Sequence, residues 1–193
     1  MLRTRAERGF TLVEIVVVLA IMLVMASVIA PSLIAYADQQ RAETTAAILT
    51  DVGTGLVGAN GFRAKLGSNA GRVSQLTNRP TANNAAIDDD SCGGVITGPE
   101  QGNWDTNSPF VKFMIPRSGL VTPIGVAEDT LWRVPNTNAN GVLMVVFKTV
   151  DLRDVLLLDG VLDAGNGSAA GVIQWTTTPP LVMYYRVTVD NKC

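Results

Sequence analysis

Glu14 is the one formally charged residue between Arg8 and Asp38, and it stands four residues after Phe10 at the head of an apolar run. A carboxylate placed there costs on the order of 2.5 to 3.5 kcal/mol at a bilayer centre and less near an edge. One arrangement leaves it at the interface, solvated by headgroups and serving nothing. Another gives it a partner: cleavage after Gly9 would free a cationic amine at Phe10, and Glu14 of a neighbouring chain would neutralise that amine when helices bundle. A charge pair formed only on assembly would select the stagger between subunits.

Other chemistry is sparse. The chain contains no histidine, which removes the commonest general base, the Ser-His and Cys-His pairs and the commonest metal ligand. Hydrolytic and zinc chemistry are therefore not expected, and the chain is read as a non-enzyme without a cofactor, calcium being the one candidate. Asp159, Asp163 and Asn166, together with Ser168 and beside Gly160, Gly165 and Gly167, offer oxygen ligands of the kind calcium takes, although their spacing is not that of an EF-hand loop. A glycine-rich turn joining helix to strand competes with that reading. Cys92 and Cys193 fall in what would be an exported domain, where oxidising conditions favour a disulfide over two free thiols. Such a bond would close a loop of about 100 residues and add several kcal/mol.

Net charge is −2, and lysine and arginine concentrate nowhere beyond the first ten residues, so nucleic acid is not supported as a main partner. Trp104, Trp132 and Trp175 are too scattered for a base-stacking platform and are expected to complete a core. Asp88-Asp89-Asp90 reads as a solvated loop.

The element that must position Glu14 is long. Ile15 to Ala37 carries no formal charge, and as helix it rises about 35 Å against a hydrocarbon core of about 30 Å. Arg3, Arg5 and Arg8 precede it, as cytoplasmic flanks do. Read as a secretory signal, the segment would be cut after Ala35-Tyr36-Ala37, but its apolar run exceeds the usual length of about 7 to 15 residues. The helical pattern also continues past that point, with Ile48, Val52 and Leu56 recurring as one stripe up to a stop at Asn60-Gly61. One helix from Phe10 to Asn60 is expected. Pro31, which cannot donate to the carbonyl of Ser27, predicts a kink or local unwinding.

From Phe62 to Ser108 the composition turns polar and reads as a long irregular connection. Strands are expected at Phe110 to Ile115, Leu131 to Val134, Val142 to Val150, Gly171 to Trp175 and Leu181 to Val189, with a short helix over Leu152 to Leu162. The domains expected are 1–9, a leader; 10–37, a transmembrane and polymerisation segment; 38–61, a head-packing helix half; and 62–193, a globular head.

Arg8-Gly9-Phe10-Thr11-Leu12-Val13-Glu14 followed by an apolar helix resembles the class III signal of type IV prepilins and type II secretion pseudopilins. The resemblance covers roughly Arg8 to Asp51. It implies a prepilin peptidase that cuts after Gly9 and methylates the new amine at Phe10, an assembly role for Glu14, and local melting of the helix near Pro31 in filaments. It implies an α+β, pilin-like fold: a long N-terminal helix, transmembrane in its first half, packed on a small antiparallel sheet. The partners implied are copies of the same chain or other pilins, the peptidase and an inner-membrane assembly platform. The precursor would cross the inner membrane once, leader cytoplasmic and head periplasmic, before entering a pilus or pseudopilus. The cysteine pair departs from the short C-terminal disulfide loop of type IVa pilins. A low-copy minor pilin with a ligand-binding head and a signal-anchored periplasmic binding protein are the alternatives.

Overall fold

The computed structural model describes residues 11–84, 88–134 and 140–190, the side chains of Asn140 and Asp190 excepted. It divides into two compact units, Met1–Gln39 and Gln40–Cys193. Helix α1 occupies Leu12–Val57, within the span expected; Phe10 lies outside the described residues.

In the first unit every residue from 11 to 37 is exposed, including Leu12, Leu23 and Val28. An 18-residue window reaches a mean hydropathy of 3.0, and α1 is long and apolar enough to cross a membrane. Polar side chains here bond back to their own helix, as Ser27 Oγ does to the Val24 carbonyl at 2.7 Å and Ser32 Oγ to the Ile29 carbonyl at 2.8 Å. Helical structure runs without a break through Pro31, so the unwinding expected there is absent from the single chain.

In the second unit the rest of α1 buries Ala42, Thr45, Ala46, Leu49, Val52, Gly53, Gly55 and Leu56. The expected stripe is corrected by one position: Leu49 is fully buried and Ile48 is only partly so. Small residues widen the buried face to admit the head closely. Tyr185 lies so near Gly53 that a Cβ there would stand 2.6 Å from its Oη.

Beyond α1 come α2 (Phe62–Leu66), a 3-10 turn (Val73–Leu76), α3 (Gly98–Asn107), a hairpin of β1 (Leu120–Thr122) and β2 (Gly125–Ala127), then β3 (Trp132–Val134), β4 (Asn140–Phe147), α4 (Leu152–Leu162), β5 (Ile173–Trp175) and β6 (Met183–Asp190). The last four strands form one antiparallel sheet in the order β3-β4-β6-β5. The apolar strand β4 lies inside the sheet between β3 and β6, with Leu143, Val145 and Phe147 buried in the core. Along β6, Met183, Tyr185, Val187 and Val189 are buried while the residues between them are more exposed, the alternation of a sheet with one wet face. The fold is thus α+β and pilin-like: a long N-terminal apolar helix packed against antiparallel sheet.

Three expectations are corrected. Phe110 to Ile115 is not a strand: Val111 and Ile115 are buried as a strand's would be, but the Phe110 N–H donates to the Leu76 carbonyl and the Ile115 N–H to Thr77 Oγ1. These bonds tie it to the 3-10 turn one at a time, so no ladder forms. The connection 62–108 is more ordered than its composition suggests, because Thr97 and Glu100 make a reciprocal capping box at the start of α3, spelled Thr-x-x-Glu in the sequence. Finally, Trp104 and Trp175 are core residues, whereas Trp132 is 53% exposed.

Candidate functional site

The start of α1 is built around one side chain pair. The Thr11 N–H and Thr11 Oγ1 both donate to Glu14 Oε2, at 2.9 and 3.0 Å. The Glu14 N–H donates back to Thr11 Oγ1 at 3.3 Å. This is a second capping box, with Thr11 as the first residue outside the helix. It puts the carboxylate against the N-terminal N–H groups of α1, where the helix dipole favours an anion, and so lowers the cost of an acid beside an apolar run. Thr11-Leu12-Val13-Glu14 spells the motif in the sequence, so the role of Thr11 is locally encoded. Gly9 and Phe10 lie outside the described residues.

The remaining candidates separate. Cys92 sits half-buried in a turn, its N–H donating to Asp90 Oδ1 at 2.9 Å; Cys193 lies outside the described residues. Asp159 is 2% exposed, with Oδ2 accepting the Gly167 N–H at 3.2 Å and Oδ1 left without a partner. Asp163 Oδ2 accepts the Ile173 N–H at 2.6 Å. Both carboxylates thus hold backbone of the turn between α4 and β5, while Asn166 is exposed. Among the described residues no group of three or more histidine, cysteine, aspartate or glutamate side chains could hold a metal ion.

The acidic run is not a solvated loop. Asp88 is fully buried; it accepts from Arg117 Nη1 and Nη2 at 3.1 and 3.2 Å and from the Thr81 N–H at 2.8 Å. Burial opposes its ionisation, but the hydrogen bonds and charge of Arg117 and the Thr81 N–H overcome this, leaving its pKa below the usual carboxylate value. Asp90 Oδ1 accepts the Cys92 and Gly94 N–H groups. Charges kept inside in this way must be paired, and the sequence gives no sign that Arg117 is the partner.

On the face of the sheet away from the core, Trp132, Met144, Val146, Pro180, Val182 and Tyr184 surround an apolar hollow of about 630 Å³. Glu128 Oε2 accepts the Trp132 Nε1–H at 3.2 Å and Glu128 Oε1 pairs with Lys148, which fixes the indole at the rim.

A family model described as the prokaryotic N-terminal methylation motif matches residues 4–30. No curated protein and no solved structure matches the chain. The matched stretch contains Gly9, Phe10, the Thr11–Glu14 capping box and most of the exposed apolar helix. An apolar helix exposed along residues 11–37 fits a membrane-anchored precursor, and the motif implies processing by prepilin peptidase and pilin assembly in general. The chain therefore carries, within residues 4–30, the class III signal of type IV pilins and pseudopilins, which supports a pilin-like or pseudopilin precursor.

Proposed function

We propose that the chain is a structural subunit of a type IV pilus or a type II secretion pseudopilus. It is cleaved between Gly9 and Phe10, N-methylated at Phe10, and held in the inner membrane with its leader cytoplasmic and its head periplasmic. An assembly platform then extracts it into a filament of identical chains or of mixed pilins. The observation that carries the reading is the helix half from 11 to 37, wholly exposed and apolar, with one acid fixed at its start. A mere anchor gains nothing from that acid. Burying the same surface against neighbouring helices supplies cohesion at about 25 cal/mol per Å², and Glu14 paired with a neighbour's Phe10 amine sets the register. No catalysis and no cofactor is asked of the subunit, and Cys92 bonds to Cys193 in the exported head.

Mass spectrometry of the mature N-terminus tests the processing step: N-methylated Phe10 is expected, whereas a chain beginning at Asp38 or retaining Met1 would sink the proposal. The hollow beside Trp132 favours a second reading, a low-copy minor subunit whose head binds a ligand, since pockets of several hundred Å³ with apolar walls are typical ligand sites. Abundance separates the two, because a major subunit dominates purified filaments and a minor one is scarce.

A further inference from the structure

Strand β6 outruns one of its neighbours. Its whole length, Met183–Asp190, pairs with β4, whereas on the other side β5 pairs only with Met183, Tyr184 and Tyr185. One more bond follows on that side, from the Arg186 N–H to the Val172 carbonyl at 2.7 Å. Gly171, with φ of +80°, then turns the chain off the edge in a conformation that glycine adopts without strain. Main-chain groups alternate sides along a strand. The N–H and carbonyl of Thr188 and the N–H of Asp190 therefore point the same way as those of Arg186, and they meet no ladder partner among the described residues.

The open edge lies along a groove. Two adjoining hollows of about 410 and 350 Å³ share Val57, Gly58 and Thr188, so α1 forms the wall opposite the end of β6. Thr50, Thr54 and Val57 are exposed on that wall. Arg186 stands where the groove begins, and its Nη1 donates to the Gly171 carbonyl at 3.3 Å, a neutral acceptor that leaves the positive charge uncancelled. We infer that this edge takes up an extended, acidic segment of a partner protein as an added strand. The row of unpaired main-chain groups supplies donors and acceptors at strand spacing. The groove receives every second side chain of the segment, and Arg186 selects a carboxylate at its rim. The inference stands apart from processing and filament assembly, because every group in it belongs to the head.

The test titrates the mature chain, purified in detergent micelles, into a short fluorescein-labelled peptide of alternating glutamate and valine and follows anisotropy. Binding should saturate, and amide hydrogen exchange in the fragment covering residues 186–190 should slow. A peptide of alternating lysine and valine should bind about fivefold more weakly, since one exposed attraction becomes a repulsion, and Arg186→Gln should close most of that gap. Methylating the backbone nitrogens of the acidic peptide should weaken it about tenfold or more, because it can no longer donate to the edge. Thr188→Pro, which removes an N–H that β4 does not use, should do the same. The peptide comparisons need no variant and decide the matter even if Thr188→Pro fails to fold. Equal binding by the methylated peptide would refute strand addition, and equal binding by the lysine peptide would refute the choice of an acidic partner. Absence of saturable binding up to about 1 mM would overturn the whole inference. A concentration-dependent dimer that Thr188→Pro abolishes would give the edge to a second copy of this chain and overturn it as well.

Discussion

Gly55→Ala and Gly160→Ala should shift the melting of the head in different directions, although both replace a helical glycine by the best helix former. Either change gains about 1 kcal/mol of helix propensity, and the entropy removed from the unfolded chain is alike in both. The surroundings differ. A Cβ at Gly55 in α1 would stand 2.8 Å from Val111 Cγ1 and 3.1 Å from the Phe110 carbonyl oxygen; Val111 is buried and the carbonyl is backbone, so neither yields cheaply. Overpacking of that kind costs about 1 to 3 kcal/mol, which leaves Gly55→Ala neutral to about 2 kcal/mol destabilised. At Gly160 in α4 nothing lies within 4 Å, so the gain is kept. The difference between the variants isolates the packing cost, and at roughly 2 to 4 °C per kcal/mol for a domain of this size it amounts to about 2 to 12 °C. Thermal unfolding in detergent micelles, followed by tryptophan fluorescence, reads the head alone because all three tryptophans lie beyond residue 100. Equal melting of the two variants, or a higher Tm for Gly55→Ala, would show that α1 and the loop at Val111 are not packed to contact and would refute the reasoning.

Gly9→Val should leave the precursor uncut and membrane-bound with no filaments, visible as an unshifted band on an immunoblot against the head; normal cleavage would contradict the processing site. Asp88 titrates below its unfolded value, so its stabilisation is complete above the unfolded pKa and is lost as pH falls through the folded one. Asp88→Asn should lower stability at neutral pH by about 1 to 3 kcal/mol and flatten the acid side of a stability-against-pH curve; an unchanged acid limb would mean that the pair with Arg117 contributes nothing. Thiol titration of the unfolded, unreduced mature chain should find no free cysteine if Cys92 and Cys193 are bonded, and reduction should lower the Tm; two titrating thiols would dismiss the bond.

Much of the head was legible where a short stretch carries its own pattern. β4 declares itself by continuous apolar residues, β6 by alternation, and α4 by leucines at helical spacing, since each follows from how side chains project from one element. The capping boxes at Thr11 and Thr97 were equally local and could have been read. Phe110 to Ile115 was misread for the opposite reason: its burial alternates, but whether a strand forms depends on a partner ladder elsewhere in the chain. The expected sheet also omitted β1 and β2, whose three-residue strands are too short to show a period.

By itself the sequence determined the processing motif, the length and apolarity of the segment that follows it, and the isolation of Glu14, because these are properties of residue types at fixed spacing along one helix. Only the tertiary structure decided that Asp88 is buried against Arg117, and that the glycines of α1 are sites of close approach to Tyr185 and Val111 while Gly160 faces open space. The reason is that a charge or a missing Cβ has no fixed consequence until its neighbours in space are known, and those neighbours come from parts of the chain that no local pattern connects.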